Sequence, residues 1–153
     1  RWPVENFAAV ADALADAGAI IAVNGTDQES ALVRGVIGHM RCEAIDLTGA
    51  MSLSGLCGLV ERAAMVVSND SGPLHLALAI GTPCVGVYWL TNLMEACPLK
   101  QSTHRAAMSV RVHCPVCGQE NRWTRCGHDV CFVDDVPVDH VTAMALQLFA
   151  STA

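Results

Sequence analysis

The sequence is poor in charged residues and has no apolar run long enough to cross a bilayer. Charged residues make up 16% of the 153 residues and apolar residues 52%, which is typical of a globular chain and not of a disordered one. The formal net charge of -6 argues against a nucleic-acid duplex as the main partner, because few cations would neutralise its phosphates. One bound nucleotide is compatible with this charge. The start shows no basic-then-apolar signal pattern, and it enters a helix at once, so we expect one part of a longer protein.

Short apolar runs alternate with helical patterns along the first ninety or so residues. The expected order is helix 4–14, strand 19–23, helix 28–39, strand 44–47, helix 52–60, strand 65–67, helix 72–80 and strand 84–88. The strands are continuous apolar runs, as in sheets that are buried on both faces. Strands that alternate with helices across short loops predict a parallel sheet with crossover helices. We therefore expect an α/β, Rossmann-like three-layer domain.

The pattern changes after about residue 90. Residues 90–108 are expected to be irregular, and one short strand is expected at 110–112. A cysteine-rich segment at 109–135 and a closing helix at 137–150 complete the single domain, 1–153. His104 has no partner pattern and is expected at the surface.

The stretch SNDSGPLHLA, residues 68–77, places polar residues between a buried strand and a buried helix. Ligands of open α/β sheets bind at the carboxyl ends of strands, where such loops lie. Gly72 lets a ligand approach the backbone, and the helix start, with a hydroxyl from Ser71, favours a phosphate. A carboxylate repels a phosphate, so Asp70 is expected to face other groups, such as sugar hydroxyls. His75 is expected to be a neutral hydrogen-bond partner. The alternative is a plain helix cap formed by Ser71 or Asp70.

Three segments resemble the C-terminal domain of glycosyltransferase family 9, the heptosyltransferases of bacterial lipopolysaccharide core assembly. They are SNDSGPLHLALAIGTPCVGVYW at 68–89, WPVENF at 2–7 and NGTDQE at 24–29. A tail with cysteines and a closing helix is also similar to many members. The resemblance implies a GT-B enzyme, which has two Rossmann-like domains and an active site in the cleft between them. This chain would be the C-terminal half, with 1–153 as the nucleotide-sugar donor-binding domain.

The resemblance also implies the reaction. Heptose would pass from ADP-heptose to a lipopolysaccharide core acceptor, with inversion at the anomeric carbon and without a catalytic metal or other catalytic cofactor. The N-terminal domain would hold the acceptor and the catalytic base, so no certain catalytic residue is expected in this chain, which would be inactive alone. We expect a cytoplasmic protein whose acceptor brings it to the inner face of the inner membrane.

Donor-binding roles follow from the same resemblance. Ser71 and Gly72 would contact the diphosphate, and Asp70 would hold sugar hydroxyls. Asn69 and His75 complete the expected donor-binding set at this loop.

The second loop and the chain start would hold the rest of the nucleotide. Asp27 or Glu29 would hold the ribose hydroxyls, and the resemblance leaves both open. The family usually has a phosphate-binding lysine just ahead of the tryptophan-proline pair. Here that lysine is either replaced by Arg1 or lost with the missing part of the protein. Residues 89–92 follow a strand end and would lie near the sugar, although Trp89 could equally be core.

Four cysteines form the remaining pattern of interest. Cys114 and Cys117 form a CxxC pair on a tight turn, and Cys126 and Cys131 follow at a CxxxxC spacing. Four soft ligands at this distance could close a tetrahedral structural zinc site. Reduced structural thiols are the equal alternative, because stable disulfides are rare in the cytosol.

Two other functions compete with the donor-binding domain. GT-B folds also serve nucleotide-sugar epimerases and hydrolases, for which Asp70 and His75 would be the only candidate acid or base groups here. A noncatalytic zinc-bearing interaction module would contain metal and bind no nucleotide.

Overall fold

The computed structural model describes residues 1–96 and 102–152 of the chain. In order, the elements are α1 (Val4–Asp16), β1 (Ile21–Val23), a 3-10 turn (Asp27–Glu29), α2 (Ser30–His39), β2 (Ala44–Asp46), α3 (Leu53–Arg62), β3 (Val66–Asn69), α4 (Gly72–Ile80), β4 (Cys84–Trp89), α5 (Leu90–Ala96), β5 (His104–Ser109) and α6 (Val138–Ala150). No helix in this described part has the length and apolar character needed to span a membrane.

All the strand pairings are parallel, as the alternation of strands and helices predicted, but the strands form two sheets instead of one. β1 pairs with β2, and β3, β4 and β5 form the second sheet in that order. β1 and β2 have only three residues each, so few of their backbone N–H and C=O groups are available to pair with a further strand. Both sheets still contribute to one core, because Ile21 of β1 and Val67 of β3 pack against the same apolar cluster.

The second sheet lies between two layers of helices, with β4 completely buried at its centre. Alternate residues of β4 face opposite layers. Val85 and Val87 pack in the cluster that includes residues of α1 and α6, whereas Cys84 and Tyr88 pack against α3 and α4. This arrangement confirms the expected three layers.

Gly86 of β4 is the point of closest approach between the second sheet and α4. A Cβ atom there would lie 2.4 Å from Cε2 of Tyr88 and 2.6 Å from Cδ2 of Leu74 on α4. Both of those side chains are fully buried. The absence of a side chain at Gly86 therefore lets α4 pack directly onto the β4 backbone.

The expectations for residues 90–112 were wrong in part. The structure has α5 and β5 where an irregular segment was expected, while 97–101 lie outside the described residues. The strand expected at 110–112 is absent from the described residues, and Val110 is exposed beyond the end of β5. The six residues of β5 include no β-branched residue, so its sequence carries little strand signal. It is strand because it completes the ladder of the buried β4.

His104 was expected at the surface and is instead buried, with 5% of its surface exposed. Its Nε2 lies 3.2 Å from the hydroxyl oxygen of Tyr88. Burial lowers the pKa of His104, so the neutral ring is favoured. The contact partner comes from the neighbouring strand, which the sequence pattern could not show.

Asp12 on α1 is a buried carboxylate that fixes the loop before β2. Its Oδ1 accepts hydrogen bonds from the backbone N–H groups of Arg41 at 2.8 Å and Cys42 at 2.9 Å, and its Oδ2 accepts from Nε of Arg41 at 3.1 Å. Burial by itself would raise the pKa of Asp12, but these hydrogen bonds outweigh it and the pKa is lowered. The ionised carboxylate is therefore the form that the fold stabilises.

We expect Asp12→Ala to destabilise the protein by about 1–3 kcal/mol, because it leaves two backbone donors without their acceptor. Urea denaturation at neutral pH measures this change. Because the folded pKa is lowered, the stabilisation is present above the pKa of the unfolded chain and is lost as the pH falls through the folded pKa. The difference in unfolding free energy between wild type and variant should therefore shrink in acid.

Asp16→Ala is the control, since Asp16 is exposed and its carboxylate bonds the side chain of Arg41. Equal unfolding free energies for the two variants would contradict the prediction.

Candidate functional site: a cleft at the carboxyl ends of β3 and β4

A cleft of about 210 Å³ opens where β3 and β4 end. Its walls come from the loop after β3, the end of β4, the first turn of α5 and the cysteine-rich segment. The side chains that matter below are Arg1, Asn69, Asp70, Trp89, Asn92 and Arg125. Three of the eight donor-binding residues expected from the sequence, Arg1, Asn69 and Asp70, thus line one cleft.

Asp70 is held on both carboxylate oxygens. Oδ1 lies 3.1 Å from Nε2 of His75, and Oδ2 accepts a hydrogen bond of 2.8 Å from Nδ2 of Asn92. The side chain of Asp70 is only 15% exposed. A carboxylate has about four lone-pair directions, so acceptor capacity remains for a ligand in the cleft. Of the residues involved, Asn92 was expected only as a border of the site.

The start of α4 is open. The hydroxyl of Ser71 lies 2.9 Å from the hydroxyl of Ser68, and neither Ser71 nor another side chain caps the helix. The plain helix cap that the sequence allowed is therefore not what the structure has. Apart from its chain neighbours and the nearby backbone of its own helix, a Cβ atom at Gly72 would meet no atom within 4 Å, so there is space beside the first residue of α4. An uncapped helix start with free space in front of it is a favourable place for an anion.

Glu29 and Arg1 meet beside the loop after β1. Oε2 of Glu29 accepts from the backbone N–H of Thr26 at 3.1 Å and from its hydroxyl at 3.0 Å, while Oε1 accepts from Nη2 of Arg1 at 2.8 Å. The hydrogen bonds from Thr26 lower the pKa of Glu29 below its usual value, which favours the ionised form. Asp27 is exposed, and its carboxylate lies against Gly49. A Cβ atom built on Gly49 would lie only 1.9 Å from Oδ1 of Asp27.

The first two residues connect three separate parts of the chain. The backbone N–H of Trp2 donates to Oδ1 of Asn69 at 2.9 Å, and its indole N–H donates to the carbonyl of Val136 at 3.0 Å. The thiol of Cys131 donates to the carbonyl of Arg1 at 2.7 Å. Arg1 is therefore held between the loop of Glu29, the end of β3 and the cysteine-rich segment.

A second constellation lies in the cysteine-rich segment. One ligand atom from each of Cys114, Cys117, Cys126 and His128 lies within 4.8 Å of the others, so the four could hold one metal ion. The structure differs here from the set expected from the sequence, because His128 takes the fourth place. Cys131 lies apart from the cluster, with its thiol bonded to Arg1.

The turn at Cys114 has the geometry of a metal-binding knuckle. The backbone N–H of Val116 points to Sγ of Cys114 at 3.4 Å, and the N–H of Gly118 donates to the carbonyl of Cys114 at 2.8 Å. Gly118 has a φ of +74°, which favours glycine. Hydrogen bonds with the backbone and side chain of His128 lower the pKa of the Cys126 thiol to about 6. A thiolate is the form that binds metal.

Trp89 and Arg125 form the floor of the cleft on the side of the cysteine-rich segment. Trp89 is 8% exposed, and its indole N–H donates to the carbonyl of Arg111 at 2.7 Å. The guanidinium carbon of Arg125 lies 4.5 Å from the centroid of the Trp89 ring and 4.9 Å from that of Phe132. Sequence reasoning missed Arg125, since a single arginine between cysteines carries no pattern of its own.

The site and fold can now be compared with known proteins. The model of the family "Glycosyltransferase family 9 (heptosyltransferase)" matches residues 1–122. The chain belongs to this family. The match covers the loops of Glu29 and Asp70.

Curated relatives include two heptosyltransferases from Haemophilus species. The chain is 28% identical to lipooligosaccharide heptosyltransferase 2 of Haemophilus influenzae over 65% of this chain and 30% of that protein. It is 29% identical to the Haemophilus ducreyi protein of the same name, over 66% of this chain and 31% of that protein. The chain thus spans about a third of the length of these relatives.

Two solved structures share the fold. A family 9 glycosyl transferase from Veillonella parvula matches with a TM-score of 0.74 and 23% identity, and E. coli ADP-heptose lps heptosyltransferase II with 0.75 and 21%. Each match covers 99% of this chain and 42% of the other. These similarities confirm the fold class expected from the sequence, the α/β domain of a GT-B glycosyltransferase.

Proposed function

We propose that this chain is the donor-binding domain of an inverting, metal-independent glycosyltransferase that moves heptose from ADP-heptose to a lipopolysaccharide core acceptor. The observation that carries the proposal is the open first turn of α4 beside the fixed carboxylate of Asp70. Membership of family 9 and the names of the heptosyltransferase relatives support the choice of sugar.

In this proposal the diphosphate binds at the start of α4. Gly72 leaves room for it, the helix dipole favours its charge, and the hydroxyl of Ser71 can donate once it turns from Ser68. Asp70 would accept hydrogen bonds from sugar hydroxyls, because His75 and Asn92 hold its carboxylate in the wall of the cleft. In this arrangement the carboxylate of Asp70 faces the uncharged sugar, and the charged diphosphate lies at the start of α4.

The ribose would lie toward the loop after β1. Glu29 is the carboxylate whose position is fixed before a ligand arrives, through Thr26 and Arg1. Asp27 is exposed, and among the described residues its carboxylate has no hydrogen-bond partner, so it is the other candidate for the ribose hydroxyls. Arg1 would add positive charge near the nucleotide.

The acceptor and the catalytic base would come from the other domain of the full enzyme. The chain by itself would therefore bind a donor and transfer nothing. Because lipopolysaccharide precursors are membrane-bound, we expect the full enzyme to work in the cytoplasm at the inner face of the inner membrane.

We also propose that the cysteine-rich segment holds a structural zinc ion. Three thiolates and one imidazole make a complete tetrahedral set, which leaves no open position for catalysis. The ion would fix the segment that closes one side of the cleft. Reduced thiols without metal are the alternative, and metal content decides between the two.

Calorimetric titration of the protein with ADP, UDP and GDP tests the donor. We expect ADP to bind and the other two to bind more weakly or not at all. Tight binding of UDP or GDP instead would keep the transferase but contradict an ADP-sugar donor. No binding of any of the three, either to this chain or to the longest form of the protein, would overturn the proposal.

A further inference from the structure

Arg125 is an arginine without an acidic partner in the described part of the chain. Other arginines of the cysteine-rich segment are paired, Arg111 with Asp134 and Asp135 and Arg122 with Glu120. Arg125 instead contacts the aromatic rings of Trp89 and Phe132. A guanidinium stays charged at any physiological pH, so an arginine without an acidic partner leaves a full positive charge available to a ligand.

Two aromatic rings contact the guanidinium of Arg125. Its carbon lies 4.5 Å from the Trp89 centroid and 4.9 Å from the Phe132 centroid, and both rings are almost completely buried. A cation–π contact uses none of the guanidinium N–H groups as hydrogen-bond donors to an acidic group, so they can still donate to a ligand. An arginine held in this way has lost much of its freedom before a ligand binds, which favours bidentate contact with a phosphate.

Arg125 also stands at the right place. It lines the same cleft as Asn69, Asp70 and Asn92. The other guanidinium of that cleft belongs to Arg1 and is paired with Glu29, whereas Arg125 has no acidic partner among the described residues. Arg125 immediately precedes Cys126, whose backbone N–H donates to Oδ1 of Asn121 at 2.8 Å, and this hydrogen bond holds the backbone that presents Arg125.

We propose that Arg125 binds a phosphate of the nucleotide-sugar donor through the edge of its guanidinium. This inference rests on the proposed function and adds a second phosphate contact, made from the cysteine-rich segment instead of the start of α4. It assigns that segment a role in donor affinity.

The test compares Arg125→Gln and Arg125→Lys with Arg122→Gln in calorimetric titrations with ADP, AMP and adenosine. Arg122 lies in the same segment, is exposed and does not line the cleft, so it is the matched control. We expect Arg125→Gln to weaken ADP binding about 10- to 100-fold, as for the loss of a charged hydrogen-bond pair. Adenosine affinity should change less than about 2-fold, and Arg122→Gln should leave all three affinities unchanged. Arg125→Lys keeps the positive charge but lacks the planar guanidinium that can donate two hydrogen bonds to one phosphate. We therefore expect its loss of ADP affinity to lie between that of the wild type and that of Arg125→Gln.

Three outcomes overturn the inference in different ways. If the wild type binds ADP and Arg125→Gln binds it equally well, Arg125 does not contact a phosphate, and the proposed function stands. If Arg125→Gln weakens adenosine as much as ADP, Arg125 shapes the cleft but does not bind phosphate. If the wild type binds no nucleotide, the proposed function itself fails and the role of Arg125 fails with it.

Discussion

Gly72→Trp is expected to abolish ADP binding while leaving the fold intact. The indole would occupy the free space in front of α4, where no atom lies within 4 Å of a Cβ built on Gly72. We expect it to block the helix start, since its Cβ atom meets no clash there. We expect a loss of affinity of about 100-fold or more, which corresponds to about 2.8 kcal/mol of binding free energy. Calorimetric titration measures the loss, and thermal unfolding verifies that the variant is folded.

Two variants control this experiment. Gly72→Ala adds only a methyl group into open space and should keep most of the affinity. Gly38→Trp places the same bulky side chain at an exposed glycine of α2 that also has nothing within 4 Å, and should bind ADP as the wild type does. Unchanged ADP affinity in Gly72→Trp would show that the diphosphate does not bind at the start of α4.

Cys117→Ser is expected to remove the metal from the cysteine-rich segment. A zinc site held by four residues loses most of its affinity when one thiolate is lost, since structural zinc binding contributes on the order of 10 kcal/mol and is shared among the ligands. Elemental analysis after gel filtration should find about one zinc ion per wild-type chain and almost none in the variant. His128→Ala should behave in the same way.

Cys131→Ser separates the observed ligand set from the four cysteines expected from the sequence. Cys131 lies outside the cluster and bonds the carbonyl of Arg1, so the variant should keep its zinc. Loss of zinc from Cys131→Ser together with retention in His128→Ala would restore the four-cysteine set. A wild-type protein that contains no zinc would favour reduced thiols.

The sequence was informative wherever one residue pattern determined the structure locally. The apolar runs at β3 and β4 predicted strands, and both are strands, with β4 completely buried and β3 half-buried. The polar stretch between β3 and α4 lies at a strand end, as predicted. Asp70 was named from that pattern, and Arg1 and Asn69 were named from the family resemblance; all three line one cleft. Their roles toward a donor remain predictions.

The misses share a physical cause, which is dependence on partners distant in the sequence. β5 is a strand because the edge of β4 needs a partner, although its own residues have weak strand propensity. His128 joins the cysteines only because the segment folds back on itself, so a search for cysteine spacing passes over it. Arg125 gains its position from stacking on Trp89, a residue of another element.

The bare backbone at Gly86 has a consequence for motion. Because the Tyr88 ring and Leu74 occupy the space where a side chain would be, α4 cannot slide along β4 without a steric clash. We therefore expect the helix and the sheet to move as one unit, together with the loop that carries Asp70. Rearrangement on ligand binding is then expected in the parts that pack on this unit from outside, among them the cysteine-rich segment.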